Sequence, residues 1–515
     1  MPNKSLKSLF IFLGRDLLQP SIPYKLQEEL GYEVVFLNVP TDDKGNPHTL
    51  EDAYENMGLE IITEESAIKK YLLEKNAIVV VEDTLMTKWV KERIKKGYPT
   101  LCGYPEIEKW EDDRDYGMKI CQQIEDYNNK HGNSFYNIHI LPQEEFNDFD
   151  KAIQFVEANP KKWVIKEAGD SDIRALNYKG ELDSGMDVIA RLSYLREKGF
   201  GGEKKVHFFL QERSTGVEVA ISGFFNGKDF LNWSEVDFEH QPLLAGDRGP
   251  HTGEMMNEAW GLEKDGNPLF NTVYPPLAPY LRKVGFHGFI NLNGMMNERG
   301  YHPFEWTVRM AGSPWVTQLY EMLYGKTDYG ELLQALAYGQ DLHVQWNEGY
   351  TVGVRIDVPP SIFKGMSYDF LKKELADNKN LKGELQKSLS SPDTFIEKLH
   401  EFEQVRESSY EMPVIITDFH PEKARHFHWS DAKNLQIIYK DNIPYGIVEP
   451  TGSTFTYITI IGHKPKVINE RLDAIVVSIA GLPFISRDDY CDEVEEKLSK
   501  LESWGWNLWP KSSLI

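Results

Sequence analysis

Asn293 and Glu305 stand twelve residues apart, each inside an apolar run, FINLNGMM and HPFEWTVRM. The runs are joined by Asn297-Glu298-Arg299-Gly300, a composition that suits a hairpin turn, so the two side chains belong on adjacent strands. A carboxylate within an apolar strand is costly unless it is paired or holds a metal. Hard oxygen donors on neighbouring strands suit Mg²⁺ (or Mn²⁺), which completes its shell with water and phosphate oxygens. Arg309 follows Glu305 by four residues and carries the charge needed to offset a moving phosphoryl group. The same spacing also fits a buried Glu305–Arg309 ion pair, and the residues alone do not choose between the two.

Lys166 closes the apolar strand WVIK, just before a turn holding Gly169, Asp170 and Ser171. Such a lysine is either a solvated strand end or a point charge laid across a nucleotide's phosphates. Gln211 and Glu212 end one strand, and Glu218 opens the next. A strand edge offers backbone groups to an adenine, and a carboxylate suits ribose hydroxyls; taken singly, all three read as surface positions. The run Asp247-Arg248-Gly249-Pro250-His251-Thr252-Gly253 has the density of glycine and polar groups of a substrate loop, and equally of a surface turn. His420, His426 and His428 suggest a metal set, but no cysteine or carboxylate pattern completes it. Asp112 and Asp113 read as a solvated helix face.

The elements that must position these residues follow from hydrophobic pattern. Leu9–Gly14, Glu33–Val39 and Ala77–Val81 are apolar strands, separated by helical stretches at Tyr24–Leu30 and Glu64–Glu74 and followed by another at Met86–Lys96. That β-α-β order predicts a parallel sheet with helices on both faces. The first turn, Gly14-Arg15-Asp16, lacks the glycine pattern of a dinucleotide site. Ile107–Ile124 is helical, the EDYNNKHGNSFYN stretch a loop, and Asp150–Ala158 a helix closed by Asn159-Pro160. Strands at Trp163–Lys166, near Tyr178, at Val206–Gln211 and at Val217–Asn226, with a helix at Asp187–Lys198, predict a small β-β-α-β-β unit. From Val352 the chain reads as a separate mixed region, with a charged helix at Asp489–Trp504.

Composition sets the frame. Of 515 residues, 41% are hydrophobic, enough for a large core and against disorder of the whole chain. Lys+Arg 57 against Asp+Glu 80 leaves −23, which repels nucleic-acid backbones and anionic membranes. Cys102, Cys121 and Cys491 cannot form a disulfide framework. The opening apolar run reads as a buried strand rather than a signal peptide, and no stretch has the length of a membrane helix. The expectation is a soluble, cytoplasmic protein of a reducing compartment.

Taken in order, these segments resemble the ATP-grasp superfamily, and within it the glycinamide ribonucleotide synthetases (phosphoribosylamine–glycine ligases). AIVVVEDTL resembles that family's strand and acidic turn. GYPTLCGYPEIEKWEDDRDYGMKI is similar to its linker, with Arg114 where a nucleotide-contacting lysine stands. FNDFDKAIQFVEANPKKWVIK ends in the position of the phosphate-binding lysine, here Lys166. FLQERSTGVEVAISGFFNGK resembles the adenine hinge and ribose carboxylate, matching Gln211, Glu212 and Glu218. AGDRGPHTGEMM resembles a loop facing substrate, implying Asp247, Gly249, Pro250, Thr252 and Gly253. FEWTVRMAGSPWVTQ implies Glu305 and Thr307 as metal ligands beside Asn293, Arg309 at the phosphates, and Gly312 and Ser313 at the substrate. GIVEPTGSTFTYITIIGHKPKVINERLDAIVVSIAGLPFISRDD is similar to the small C-terminal domain.

The departures weigh more on the substrate half than on the nucleotide half. The family's Gly-Gly-Arg-Glu-His is reduced to Gly14-Arg15-Asp16, its second metal residue Asn is Thr307, and its Gly-Asp-Pro-Glu is Gly312-Ser313-Pro314-Trp315. The resemblance implies an α/β and α+β multidomain chain. Residues 1–105 form a Rossmann-like domain, 106–345 the ATP-grasp domain with a lid at about 163–228, and 346–515 a mixed C-terminal domain with a helical tail. It further implies ATP and magnesium as cofactors, small amino-acid and amine substrates, a monomer or homodimer, and amide formation through an acyl phosphate. A silent ATP-binding protein of the same fold is the alternative, motivated by the thinned loop after Lys166 and by Thr307.

Overall fold

The computed structural model describes residues 8–15, 20–39, 54–132, 136–167, 177–199, 206–310, 312–357, 414–450, 454–480 and 484–510. Gly169, Asp170 and Ser171 lie outside them. Strands β1 (Leu9–Gly14), β2 (Glu33–Asn38), β3 (Glu60–Ile62), β4 (Ile78–Val81) and β5 (Thr100–Leu101) form one parallel sheet in the order β3-β2-β1-β4-β5. The apolar runs of β1, β2 and β4 are buried, as parallel strands covered on both faces require. The order reverses between β1 and β4, with Gly14 at one carboxyl end and Glu82 just past the other.

Strands β6 (Gln143–Phe146), β7 (Trp163–Glu167), β8 (Tyr178–Lys179) and β9 (Phe208–Glu212) make a small antiparallel sheet ordered β6-β9-β7-β8. With the helices Phe149–Ala158 and Met186–Glu197 it has its own core around Ile153, Val156, Trp163, Ile165, Leu192 and Phe208. This corrects the predicted unit. The strand Val217–Phe225 is not part of it, and β6 is. Val217–Phe225 is buried nearly end to end, as a central strand of a larger sheet must be. β6 reads QEEF, too polar for its sequence to announce a strand. The small sheet therefore spans Gln143–Glu212 rather than 163–228.

The remaining strands are β10 (Val217–Phe225), β11 (Phe230–Leu244), β12 (Arg248–Glu263), β13 (Gly288–Asn297), β14 (Gly300–Thr307), β15 (Tyr350–Asp357), β16 (Val414–Ile416), β17 (Phe427–Trp429), β18 (Ala432–Lys440), β19 (Ile443–Pro450), β20 (Thr454–Gly462) and β21 (Ile479–Ala480). Eight of them form an antiparallel sheet ordered β14-β13-β10-β11-β12-β15-β20-β17, and four a smaller one ordered β18-β19-β16-β21. The predicted break before Val352 is thus crossed by hydrogen bonds. β15 pairs with β12 from Met256↔Val354 to Ala259↔Thr351, and β20 pairs with β15. The helical stretch near Ile107–Ile124 is two helices, Pro105–Asp112 and Arg114–Lys130. Asp113 divides them by capping the second, its carboxylate accepting from the Tyr116 N–H at 3.0 Å. The tail helix spans Val494–Ser503. No helix of the described residues is long and apolar enough to cross a membrane.

Candidate active site

The small sheet and the eight-stranded sheet face each other across a cleft of about 560 Å³. Its lining includes Arg114, Lys166, Gln211, Glu212, Glu218 and Glu305, so six residues chosen from sequence converge on one space. Lys166, on β7, stands with its ammonium 5.6 Å from the Phe304 ring. Burial pushes its pKa down, and neighbouring Arg114 adds to this, while Glu305 and Glu218 oppose it. Arg114 opens its helix and spans both walls. It donates through Nη1 to the Phe304 carbonyl (3.0 Å) on β14 and through Nη2 to Gln211 Oε1 (3.2 Å) on β9. Gln211 is buried, and its Nε2 has no partner among the described residues.

The acidic corner lies on the large sheet. Asn293 on β13 is directly opposite Glu305 on β14. Its Nδ2 donates to Glu218 Oε1 and to Glu239 Oε2, both at 3.1 Å, while its buried Oδ1 has no partner among the described residues. Glu305 is exposed within the cleft lining. Burial raises the Glu218 carboxyl, opposed by the Asn293 donation. Burial, then Glu305 and Asp237, push Glu239 up to about 8. An unpartnered buried amide oxygen beside an accessible carboxylate is a hard-oxygen donor set, and it fits Mg²⁺. Among the described residues no group of three or more His, Cys, Asp or Glu forms a metal cage. Mg²⁺ needs none, because water and phosphate supply its other ligands. Thr307 pairs across from Asn291, two positions beyond Glu305 on the same strand face.

Other expectations are corrected. Gln211 and Glu212 do not lie on a sheet edge: β9 is flanked by β6 and β7, and the Glu212 N–H donates to the Pro142 carbonyl (2.9 Å). The Glu212 carboxylate meets Lys161 Nζ at 2.8 Å. Arg309 is not paired with Glu305. Its Nε donates to Glu111 Oε1 at 2.9 Å, and Glu111 also accepts from the Val308 N–H, so the end of β14 is fastened to the helix Pro105–Asp112. Arg309, Gly312 and Ser313 are absent from the cleft lining. Asp247 is engaged by Arg487 and His240, and Thr252 donates to the Gln241 carbonyl (2.7 Å). Gly249 and Gly253 bracket the start of β12, with Pro250 between them. Two of the three histidines converge, on a buried carboxylate: His426 Nδ1 lies 3.1 Å and His428 Nε2 3.8 Å from Glu321 Oε1 in the core, whereas His420 is exposed beside Asp418.

Sequence reasoning missed Lys179, Gln241 and Phe304 in the lining and Glu239 behind it. For Glu239 a signal existed. Glu235, Asp237 and Glu239 alternate along an otherwise apolar strand, which puts three acids on one face of β11.

Residues 129–311 match the family model of the phosphoribosylglycinamide synthetase ATP-grasp (A) domain. The fold is also similar to those of solved structures. Phosphoribosylamine–glycine ligase from Thermotoga maritima shares 15% identity over 93% of this chain and 99% of its own, with a TM-score of 0.57. The biotin carboxylase domain of a 2-oxoglutarate carboxylase from Hydrogenobacter thermophilus, complexed with MgADP, ADP and bicarbonate, shares 9% over 96% and 99%, with a TM-score of 0.52. A biotin carboxylase from Campylobacter jejuni shares 9% over 99% and 98%, with a TM-score of 0.51. No curated protein matches by sequence. The fold is therefore that of the ATP-grasp proteins. Within them, the chain is similar to the phosphoribosylglycinamide synthetases.

Proposed function

We propose that the protein is an ATP-dependent carboxylate–amine ligase that forms an amide through an acyl phosphate. The observation carrying this reading is the convergence of Lys166, Arg114, Gln211, Glu218 and Glu305 on one cleft between two sheets. ATP lies in that cleft with its phosphates toward Lys166 and Arg114, and its ribose toward Glu212 or Glu218. Glu305 and Asn293, with Thr307 beside them, hold Mg²⁺, which when bound neutralises phosphate charge. As the γ-phosphoryl passes to a substrate carboxylate, Lys166 and Arg114 offset the charge on the moving oxygens. The acyl phosphate is attacked by an amine, the new C–N bond forming as phosphate leaves. The small sheet closes over the cleft and keeps water from the acyl phosphate. Arg309 joins only if its pair with Glu111 opens. The reduction of the N-terminal segment to Gly14-Arg15-Asp16 favours an amine other than the one used by the synthetases it resembles.

The test is a screen of amino acids against amines for Mg²⁺-dependent ADP release, with hydroxylamine as a trap for the acyl phosphate. ADP release that needs both partners, and hydroxamate with hydroxylamine, support the reading. The Glu111–Arg309 pair favours a second reading, a silent ATP-binding protein. Nucleotide binding with no product across the screen selects it.

A further inference from the structure

The turn between β11 and β12 is held by a part of the chain some 240 residues away. Arg487 is fully buried, yet its guanidinium carries four bonds. Nη1 donates to Asp247 Oδ1 (2.9 Å) and to the Pro242 carbonyl (3.1 Å), while Nε (2.9 Å) and Nη2 donate to the Asp489 carboxylate. Asp489 in turn accepts from the Gly246 N–H at 2.7 Å. The segment bearing Arg487 is itself fixed, because Ile485 and Asp357 at the end of β15 exchange two backbone bonds. On the far side of the turn, His240 bridges Asp247 (Nδ1, 2.9 Å) and Glu258 (Nε2, 2.9 Å), with Lys497 Nζ 3.1 Å from Nε2.

Burying a guanidinium among carboxylates is a poor way to gain stability, since apolar residues of the same volume often do better. What such a network supplies is a fixed geometry. The turn needs one: Gly246 and Asp247 both have positive φ, +69° and +52°, a conformation a non-glycine residue keeps only when its surroundings hold it. The turn is tied to the cleft through β11: Gln241, whose carbonyl is bonded by Thr252, is the residue of 241–252 that lines the cleft.

We infer that Arg487 is a positioning residue that holds the Asp247 turn, and with it residues 241–252, in the geometry that receives the co-substrate, without itself contacting nucleotide. The inference rests on the ligase reading for the word co-substrate, and on the hydrogen-bond geometry for the clamp. It gives the C-terminal segment a task in the reaction.

The experiment compares the full-length wild type with Arg487→Lys, Arg487→Met and Asp489→Asn. Four quantities are read: melting temperature, affinity for a non-hydrolysable ATP analogue, hydrogen exchange of peptides covering 241–253, and KM for the amino acid and amine found in the ADP-release screen. The expected result is faster exchange confined to 241–253 and 484–497, and ATP-analogue affinity within about twofold of wild type. Co-substrate KM rises at least tenfold in Arg487→Met and less in Arg487→Lys, which keeps the charge but not the bridge. Unchanged exchange and KM in Arg487→Met overturn the inference. So does a collapse of melting temperature and ATP affinity together in all three variants, which marks a purely structural residue. A wild type that releases no ADP with any pair refutes the ligase reading instead; turn exchange in Arg487→Met then decides the clamp alone.

Discussion

Replacing Lys166 with Met separates a functional charge from a structural one. The stem is kept and only the ammonium is lost. A unit charge about 4 Å from a phosphate oxygen is worth about 4 kcal/mol at an effective dielectric near 20. Water entering the vacated space recovers part of this, leaving roughly 3 kcal/mol, or a loss on the order of 10²-fold in kcat/KM for ATP. The fold responds in the opposite direction. Burial and Arg114 hold the folded-state pKa of Lys166 below its unfolded value, so the charged lysine costs stability at neutral pH and the cost is relieved as pH rises. Lys166→Met is therefore expected to melt at or above the wild-type temperature at pH 7, with the gap narrowing toward alkaline pH. The assays are ADP release at varied ATP and thermal melting at several pH values. ADP formation within threefold of wild type, or a melting temperature lowered by several degrees, refutes the reasoning.

Glu305→Ala is expected to abolish Mg²⁺-dependent ADP release with the melting temperature kept, since this exposed carboxylate has no recorded ion pair among the described residues; retained activity removes the metal assignment. Glu239 has a raised pKa, so its favourable contribution is complete below the unfolded carboxylate value of about 4.3 and is lost as pH rises through about 8. Glu239→Gln mimics the protonated form, and its melting temperature should gain on the wild type between pH 5 and pH 8; a constant difference contradicts this. In Gly117→Ala the added methyl would stand 2.3 Å from the Trp110 carbonyl oxygen. We expect a destabilisation of about 1–3 kcal/mol by denaturant melting, and weaker ATP-analogue binding because Arg114 rides on the same helix turn. An unaffected affinity would detach that helix from the nucleotide site.

The residues that share the cleft were found in the sequence because they lie at or near the ends of apolar strands, and strand ends are what a hydrophobic pattern locates best. Lys166 and Glu218 are examples, as is Glu305 on its hairpin. What stayed hidden was set by tertiary pairing. Whether β10 belongs to the small or the large sheet depends on which neighbour it bonds, and its sequence carries no label for that. The spacing of Glu305 and Arg309 fitted an ion pair and a phosphate role equally. Residues four apart on an extended strand are separated by roughly 13 Å, and the chain leaves β14 before Arg309, where Glu111 is its partner. Arg487 offered no signal at all, because its meaning comes from a turn 240 residues upstream.

The three strands that extend the large sheet past β12 (β15, β20 and β17) have a consequence for how the molecule is made. β12 is sixteen residues long, and its outer border between Met256 and Ala259 is satisfied only by β15, which in turn needs β20. On a ribosome, the scaffold of the cleft emerges well before residue 462 exists to finish that border. During this interval the nascent chain carries an open strand flank of the kind that invites pairing with another chain. Chaperone dependence and aggregation during synthesis should therefore track the late strands, not the cleft.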